Sequence, residues 1–285
     1  MNEKTTVFLT GASSGIGAAM ATYLLEEGYA VWGTSRCKER LAGFPAIHPI
    51  EMHLEDPVSV RNAWQQALTE AGKIDIVIQN AGSGIFGSVE DISFEQSSFV
   101  WKVLVEGPLL ILQLAAEHFR PRRTGLIVGI SSLAAELPIC FSSHYSAGKA
   151  AFSSLLAGLS MELEPFGVEV VDVRPGDIRT SFNHGLPTTI PKDSPYFPWA
   201  RKAWERNEHL IKNAPESDII DEILKKLLRD QCRSPLLRIG SFFQSQMSPF
   251  LSRLIPHRMK LKMIRSYYGL NTVPPIDSSV QNGGN

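Results

Sequence analysis

The stretch Thr5-Thr6-Val7-Phe8-Leu9-Thr10-Gly11-Ala12-Ser13-Ser14-Gly15-Ile16-Gly17 decides the fold. A short apolar, β-favouring run passes directly into three closely spaced glycines and then into Ala18-Ala19-Met20-Ala21, a helix-forming segment. Strand, tight turn and helix N-terminus in that order open an α/β unit. The helix start offers unpaired N–H groups and the positive end of a dipole, which suits a diphosphate. Gly11 permits the tight turn, Gly15 lets the backbone approach a ligand, and Gly17 lets the helix lie close to the sheet. A Gly-rich turn without a ligand is the plain alternative.

Working outward, short apolar runs alternate with longer segments of helical period. Strands are predicted near 5–10, 30–35, 47–53, 75–79, 125–130 and 168–174, and helices over about 15–27, 57–71, 94–119 and 145–165. Runs such as Leu126-Ile127-Val128-Gly129-Ile130 are continuously apolar, as expected of strands buried on both faces. The expectation is a Rossmann-like, doubly wound parallel sheet in a single domain over residues 1–270. After Pro175 the alternation weakens. A loop and helix over about 183–215 are predicted above the carboxyl edge of the sheet, where ligands bind in such folds. A C-terminal helical extension follows at about 242–268, and 271–285 read as a disordered tail.

Composition narrows the function. A net charge of −1 in 285 residues, with 20% charged and 44% hydrophobic, is globular and argues against a nucleic-acid partner. Cys37, Cys140 and Cys232 have neither disulfide nor metal-ligand spacing, so no metal is expected and a reducing, cytoplasmic setting fits. No leader is recognised at the N-terminus, and the apolar stretch 103–116 is interrupted by Glu106, Gly107 and Pro108, short of a bilayer span. Residues 248–270 mix Phe250, Leu251, Leu254, Ile255, Met259, Leu261, Met263 and Ile264 with several cations. They read as a helix pair packed on the domain, with a peripheral membrane contact or a lid over an apolar substrate as alternatives.

Tyr145 and Lys149 are four residues apart and share a helix face. A tyrosine is normally a poor base, with a reference pKa of about 10. A neighbouring ammonium favours the phenolate, making the group usable in proton transfer. Ser132 follows an apolar strand, where its hydroxyl can orient a substrate oxygen. Taken alone, Tyr-x-x-x-Lys is a common surface pair. His144 reads as a pocket wall or interface residue, and Phe197, Trp199 and Trp204 as pocket lining or plain helix packing.

These landmarks together are similar to those of the short-chain dehydrogenase/reductase family: TGASSGIG at 10–17, QNAG at 79–82, ISS at 130–132, YSAGK at 145–149 and RPGDIRT at 174–180. The resemblance covers residues 5–180. It implies hydride transfer between a nicotinamide cofactor and a carbonyl or secondary alcohol, with Tyr145 as acid/base, Lys149 tuning it and binding ribose, and Ser132 orienting the substrate. It implies cofactor contacts from Gly11, Ser13, Ser14, Gly15, Ile16, Gly17, Asn80, Ala81, Gly82, Pro175, Gly176, Ile178 and Thr180. The family's acidic ribose ligand is replaced by Ser35, followed by Arg36. A guanidinium can pair with a 2′-phosphate that a carboxylate would repel, so NADP(H) is preferred, with NAD(H) as the alternative.

Two positions depart from the family pattern. His53 stands where an Asp meets adenine, leaving the Leu54 backbone more of that task. Leu104 stands where a helical Asn supports a kink, so only its main-chain carbonyl, deprived by Pro108 of its helical donor, is left to serve a proton relay. The resemblance further implies a homodimer or homotetramer paired through 94–119 and 145–165. The 230–270 segment loosely resembles members acting on lipid-like molecules, consistent with an apolar small-molecule substrate. The competing reading is an NADP(H)-binding regulatory or structural protein with weak turnover.

Overall fold

The computed structural model describes residues 4–180, 186–216, 219–229 and 234–272. β1 (Thr6–Leu9), α1 (Gly15–Glu26), β2 (Ala30–Ser35), β3 (His48–Glu51), α2 (Pro57–Ala71) and β4 (Ile76–Gln79) form the first half. β5 (Phe86–Gly87), α3 (Phe94–Trp101), α4 (Gly107–Arg122), β6 (Leu126–Ile130), α5 (Ser143–Leu163) and β7 (Glu169–Pro175) follow. The remainder holds β8 (Thr188–Thr189), α6 (Phe197–Lys212), α7 (Ile219–Arg229), β9 (Leu236–Ile239), α8 (Ser248–Leu254) and α9 (His257–Tyr267).

The main sheet is parallel and seven-stranded, in the order β3-β2-β1-β4-β6-β7-β9, and β5 pairs with β8 separately. It is the doubly wound α/β fold expected. Successive strand side chains point to opposite faces, which divides the core in two. Phe8, Val77 and Ile127 pack beneath α2, α4 and α5, whereas Val7, Leu9, Ile78 and Val128 pack against α1 and α7. The first of α2's N–H groups is capped by Asp56, whose carboxylate accepts from Val58 at 2.9 Å.

Besides the short, unpredicted β5–β8 pair, three elements differ from expectation. The predicted helix over 94–119 is a run to Arg122 in which residues 102–106 form a π-turn, the Gly107 N–H donating to the Lys102 carbonyl. Because α3, the π-turn and α4 are continuous, Phe94–Arg122 is long and apolar enough by length and composition to span a bilayer, unlike the interrupted segment considered alone. Leu110, Ile111, Leu112, Ala115 and Phe119 are nonetheless buried in the core. Neither α7 nor β9 was expected. β9 is only Leu-Leu-Arg-Ile, and pairing with β7, with Val173 opposite Leu237, makes it a strand. The expected tail beyond 272, Cys232 and part of the 183–198 loop lie outside the described residues.

β7 and β9 are tied to the site by a buried polar network. Asp172 accepts from Ser153 at 2.7 Å, from Arg174 Nε at 2.8 Å, and from the Ser131 hydroxyl. Arg174 also meets Glu136, which accepts from Arg238 Nε at 2.8 Å. Burial pushes the Glu136 carboxyl up, but Arg238 and Arg174 together hold it below the usual range. Removing one member leaves buried partners unsatisfied. Asp172→Ala is therefore expected to destabilise the fold by about 3 kcal/mol, read as a lowered urea midpoint at an unchanged slope.

Candidate active site

The Gly-rich turn is built for a group that needs backbone N–H donors. Gly11 and Gly15 take φ of 69° and 55°, where L side chains are strained. A Cβ on Gly17 would lie 2.0 Å from the Gly11 carbonyl oxygen, so only glycine lets α1 start this close to β1. The N-cap of α1, Ser14, makes no side-chain capping bond and the first turn holds no acidic residue. The helix N-terminus thus faces the cavity with its own N–H groups and positive dipole end. Thr10 ties this turn to the next: its hydroxyl accepts from the Asn80 and Ala81 N–H groups at 2.9 Å, and Asn80 Nδ2 donates to the Thr10 carbonyl at 3.0 Å.

One cavity of about 540 Å³ runs from this turn across the carboxyl ends of the strands. Gly11, Ser13, Ser14, Gly15, Ile16 and Gly17 line it, as do Ser35, Arg36 and Leu54. Asn80, Ala81, Gly82, Ser132, Tyr145 and Lys149 continue the wall to Pro175, Gly176, Ile178 and Thr180. The Ser35 hydroxyl donates to Ser13 at 3.1 Å, and exposed Arg36 and Arg40 stand at the end of β2. This donor set fits a dinucleotide: backbone N–H groups for a diphosphate and two cations for a further phosphate.

His53 is the predicted contact that the structure leaves outside the cavity wall. Its imidazole lies 3.8 Å from Glu51 and 3.5 Å from Glu55, and Glu55 itself lines the cavity. Leu104 also stands behind the wall. It is buried with Ile85, Val100 and Val105, and its side chain packs where a Cβ on Gly148 would approach to 2.9 Å. Trp199 and Trp204 pack around Phe86 instead of lining the cavity; from the same helix it is Asn207 and Ile211 that reach it.

Tyr145 and Lys149 lie on α5, which packs closely on β6: a Cβ on Gly129 would meet Leu156 at 2.3 Å. Lys149 is 6% exposed and its Nζ donates to the Ile130 carbonyl at 2.8 Å. Burial lowers its pKa to about 8, against the pull of the Asp172 charge. Ser132 and Tyr145 share a side-chain hydrogen bond, while Ser132 Oγ also accepts from the Ala134 N–H at 3.0 Å. Burial raises the Tyr145 pKa; the Ser132 bond opposes that rise and the Asp177 charge adds to it. By its spacing in the sequence, Lys149 is expected to bring the phenol down. Burial, which spacing does not reveal, dominates instead.

Sequence reasoning also missed Asp177. Its side chain accepts a hydrogen bond from Gln244 Nε2 at 2.5 Å and another from Tyr267, and burial raises its pKa. Tyr267 and Tyr268 line the cavity beside it. The only sequence signal was an acidic residue inside the otherwise apolar Pro-Gly turn at 175–178.

A phenol that keeps its proton is an acid rather than a base at neutral pH. A carbonyl reduced by proton donation from this phenol would show a rate level through neutral pH that falls above about 8 as Lys149 loses its charge, and the reverse oxidation would rise into the alkaline range. A pH profile of kcat/KM in both directions measures this, and a reduction rate that climbs through pH 8 would contradict it.

Comparison with known proteins gives a consistent set of matches. The short chain dehydrogenase family profile matches residues 5–190. A 3-ketodihydrosphingosine reductase of Bacteroides thetaiotaomicron is 34% identical over 62% of this chain, and the chain spans 65% of that relative, just under two thirds. An NADPH-dependent 1-acyldihydroxyacetone phosphate reductase of Schizosaccharomyces pombe is 29% identical over 80% of each chain. A short-chain dehydrogenase structure from Streptomyces avermitilis superposes with a TM-score of 0.79 at 25% identity, covering 96% of this chain and 100% of that one.

Proposed function

The chain belongs to the short-chain dehydrogenase/reductase family, and from that premise we propose that it is an NADPH-preferring reductase of an apolar, lipid-like ketone. The observation that carries the reading is the Ser132–Tyr145 hydrogen bond beside buried Lys149, in one cavity with the Gly-rich turn. A nicotinamide dinucleotide held by its diphosphate at that turn would supply hydride to the carbonyl carbon. Tyr145 gives its proton to the substrate oxygen, and Ser132 orients that oxygen and stabilises its developing charge. Lys149 keeps a positive charge under the phenol, and Leu104 contributes only its main-chain carbonyl to proton resupply.

Arg36, with Arg40 beside it, supports NADPH over NADH. Met52, Leu54 and Glu55 form the wall left for the adenine, with Glu55 supplying the carboxylate that His53 cannot. The two relatives, a 3-ketodihydrosphingosine reductase and an NADPH-dependent 1-acyldihydroxyacetone phosphate reductase, support the reductive direction and a ketone as substrate. Apolar Leu137, Ile139, Leu186 and Ile211 on the cavity wall support the same substrate class. Exposed Phe94, Trp101 and Met161 on α3 and α5 support pairing of these helices in a homodimer or homotetramer. The free thiols of Cys37 and Cys140 suit a cytoplasmic setting.

Tyr145→Phe is expected to lower reduction by about 10²-fold or more while NADPH binding stays intact. Arg36→Asp is expected to weaken NADPH by about tenfold and leave NADH largely unaffected, shifting the cofactor ratio measured by initial rates. Purified protein that binds NADPH yet reduces no ketone in an acyl-chain series would favour the binding-protein reading instead.

A further inference from the structure

From Phe242, just before a π-turn at 243–247, to the end of α9, the protein carries large apolar residues on its outside. Phe242 is 76% exposed, Phe250 64% and Leu254 67%, with Phe243, Met247 and Leu251 also exposed between them. On α9, Met259, Leu261 and Met263 are about half exposed. Among the described residues, nine of the fifteen exposed large apolar side chains fall in this segment, which marks a contact surface rather than ordinary scatter.

The same segment is strongly basic. Residues 231–276 contain seven lysines and arginines and no aspartate or glutamate, in a chain whose net charge is −1. Two of these cations are used inside: Arg238 meets Glu136, and Lys260 Nζ donates to the Glu136 carbonyl at 2.6 Å. Arg258, Lys262 and Arg265 stand exposed beside the apolar residues.

The surface is continuous with the active-site cavity. Phe243, Leu251, Ile255, Met263 and Ile264 form the cavity wall at this end, and Phe243, Leu251 and Met263 are exposed on the outer face as well. The outer surface is therefore joined to the cavity that holds Tyr145 by a wall of apolar side chains interspersed with Gln244, Ser248, Ser252 and Lys260.

We propose that α8 and α9 form a docking face for an anionic phospholipid bilayer. The apolar side chains enter the acyl region, Arg258, Lys262 and Arg265 lie among the headgroups, and the cavity mouth opens onto the lipid. Apolar insertion and basic attraction together are what stable peripheral binding needs. A second copy of the chain would bring the same unbalanced cations face to face, which disfavours a dimer through this surface. The inference concerns the surface alone and does not depend on the reaction proposed above.

The test is sedimentation of the full chain with vesicles of phosphatidylcholine, with and without about a third phosphatidylserine. Binding is expected to the phosphatidylserine vesicles, weaker to phosphatidylcholine alone, and partly reversed by salt. Phe250→Ser with Leu254→Ser, and separately Arg258→Glu with Lys262→Glu, should each weaken binding by about tenfold or more. None of the four lines the cavity, so NADPH binding and the circular dichroism spectrum should be unchanged and report that the fold is intact. The proposal is overturned if the full chain ignores both vesicle types, or if neither pair of substitutions alters its binding. It is also overturned if the chain self-associates through this face, as shown by a dimer that Phe250→Ser with Leu254→Ser dissociates.

Discussion

The buried ammonium of Lys149 is the constraint on which the rest of the site turns. Held against the Ile130 carbonyl at 2.8 Å, it requires α5 to lie almost on β6, and the glycine at 129 makes that approach sterically feasible. The other side is closed by the Leu104 side chain, packed against Gly148 and Gly82 where the helix widens into its π-turn. Burying a charge in this way is costly unless neighbours compensate it. Here the Asp172 charge does so in part, which is one reason for the network that joins β6, α5 and β7 beneath the site. The same burial that weakens the grip of Lys149 on its proton makes Tyr145 hold its own more firmly. Packing, more than direct pairing, thus sets the site as a proton donor.

Much of this was legible in the sequence because its physical signals are local. Continuous apolar runs identified six strands of the main sheet, and the glycines at 11, 15 and 17 marked the turn. The four-residue spacing placed Tyr145 and Lys149 on one face. What escaped was what depends on neighbours distant in the chain. Leu236-Leu237-Arg238-Ile239 is too short to announce a strand, and only an open edge at β7 makes it one. Asp177 gains its setting from Gln244 and Tyr267, which lie 67 and 90 residues further along. His53 occupied the expected position in sequence, but Glu51 and Glu55 flank its ring and only Glu55 reaches the cavity.

The C-terminal extension joins the fold to the chemistry. β9 completes the sheet edge, the residues after it supply Gln244, and α9 brings Tyr267 over Asp177 at the far end of the cavity. Its inner side finishes the site while its outer side carries apolar and basic residues. On the proposed reading, one segment governs both what fits beside Tyr145 and how an apolar molecule reaches it. The Gly-rich turn lines one end of the cavity and this closing segment lines the other.

The central claim is that this cavity moves hydride rather than merely holding a dinucleotide. Its most direct test is to supply NADPH deuterated at nicotinamide C4, separately on each face, with a long-chain ketone and to weigh the alcohol formed. The account predicts one deuterium on the carbinol carbon from one face only. Cofactor bound at full occupancy with no deuterium transferred from either face would contradict it.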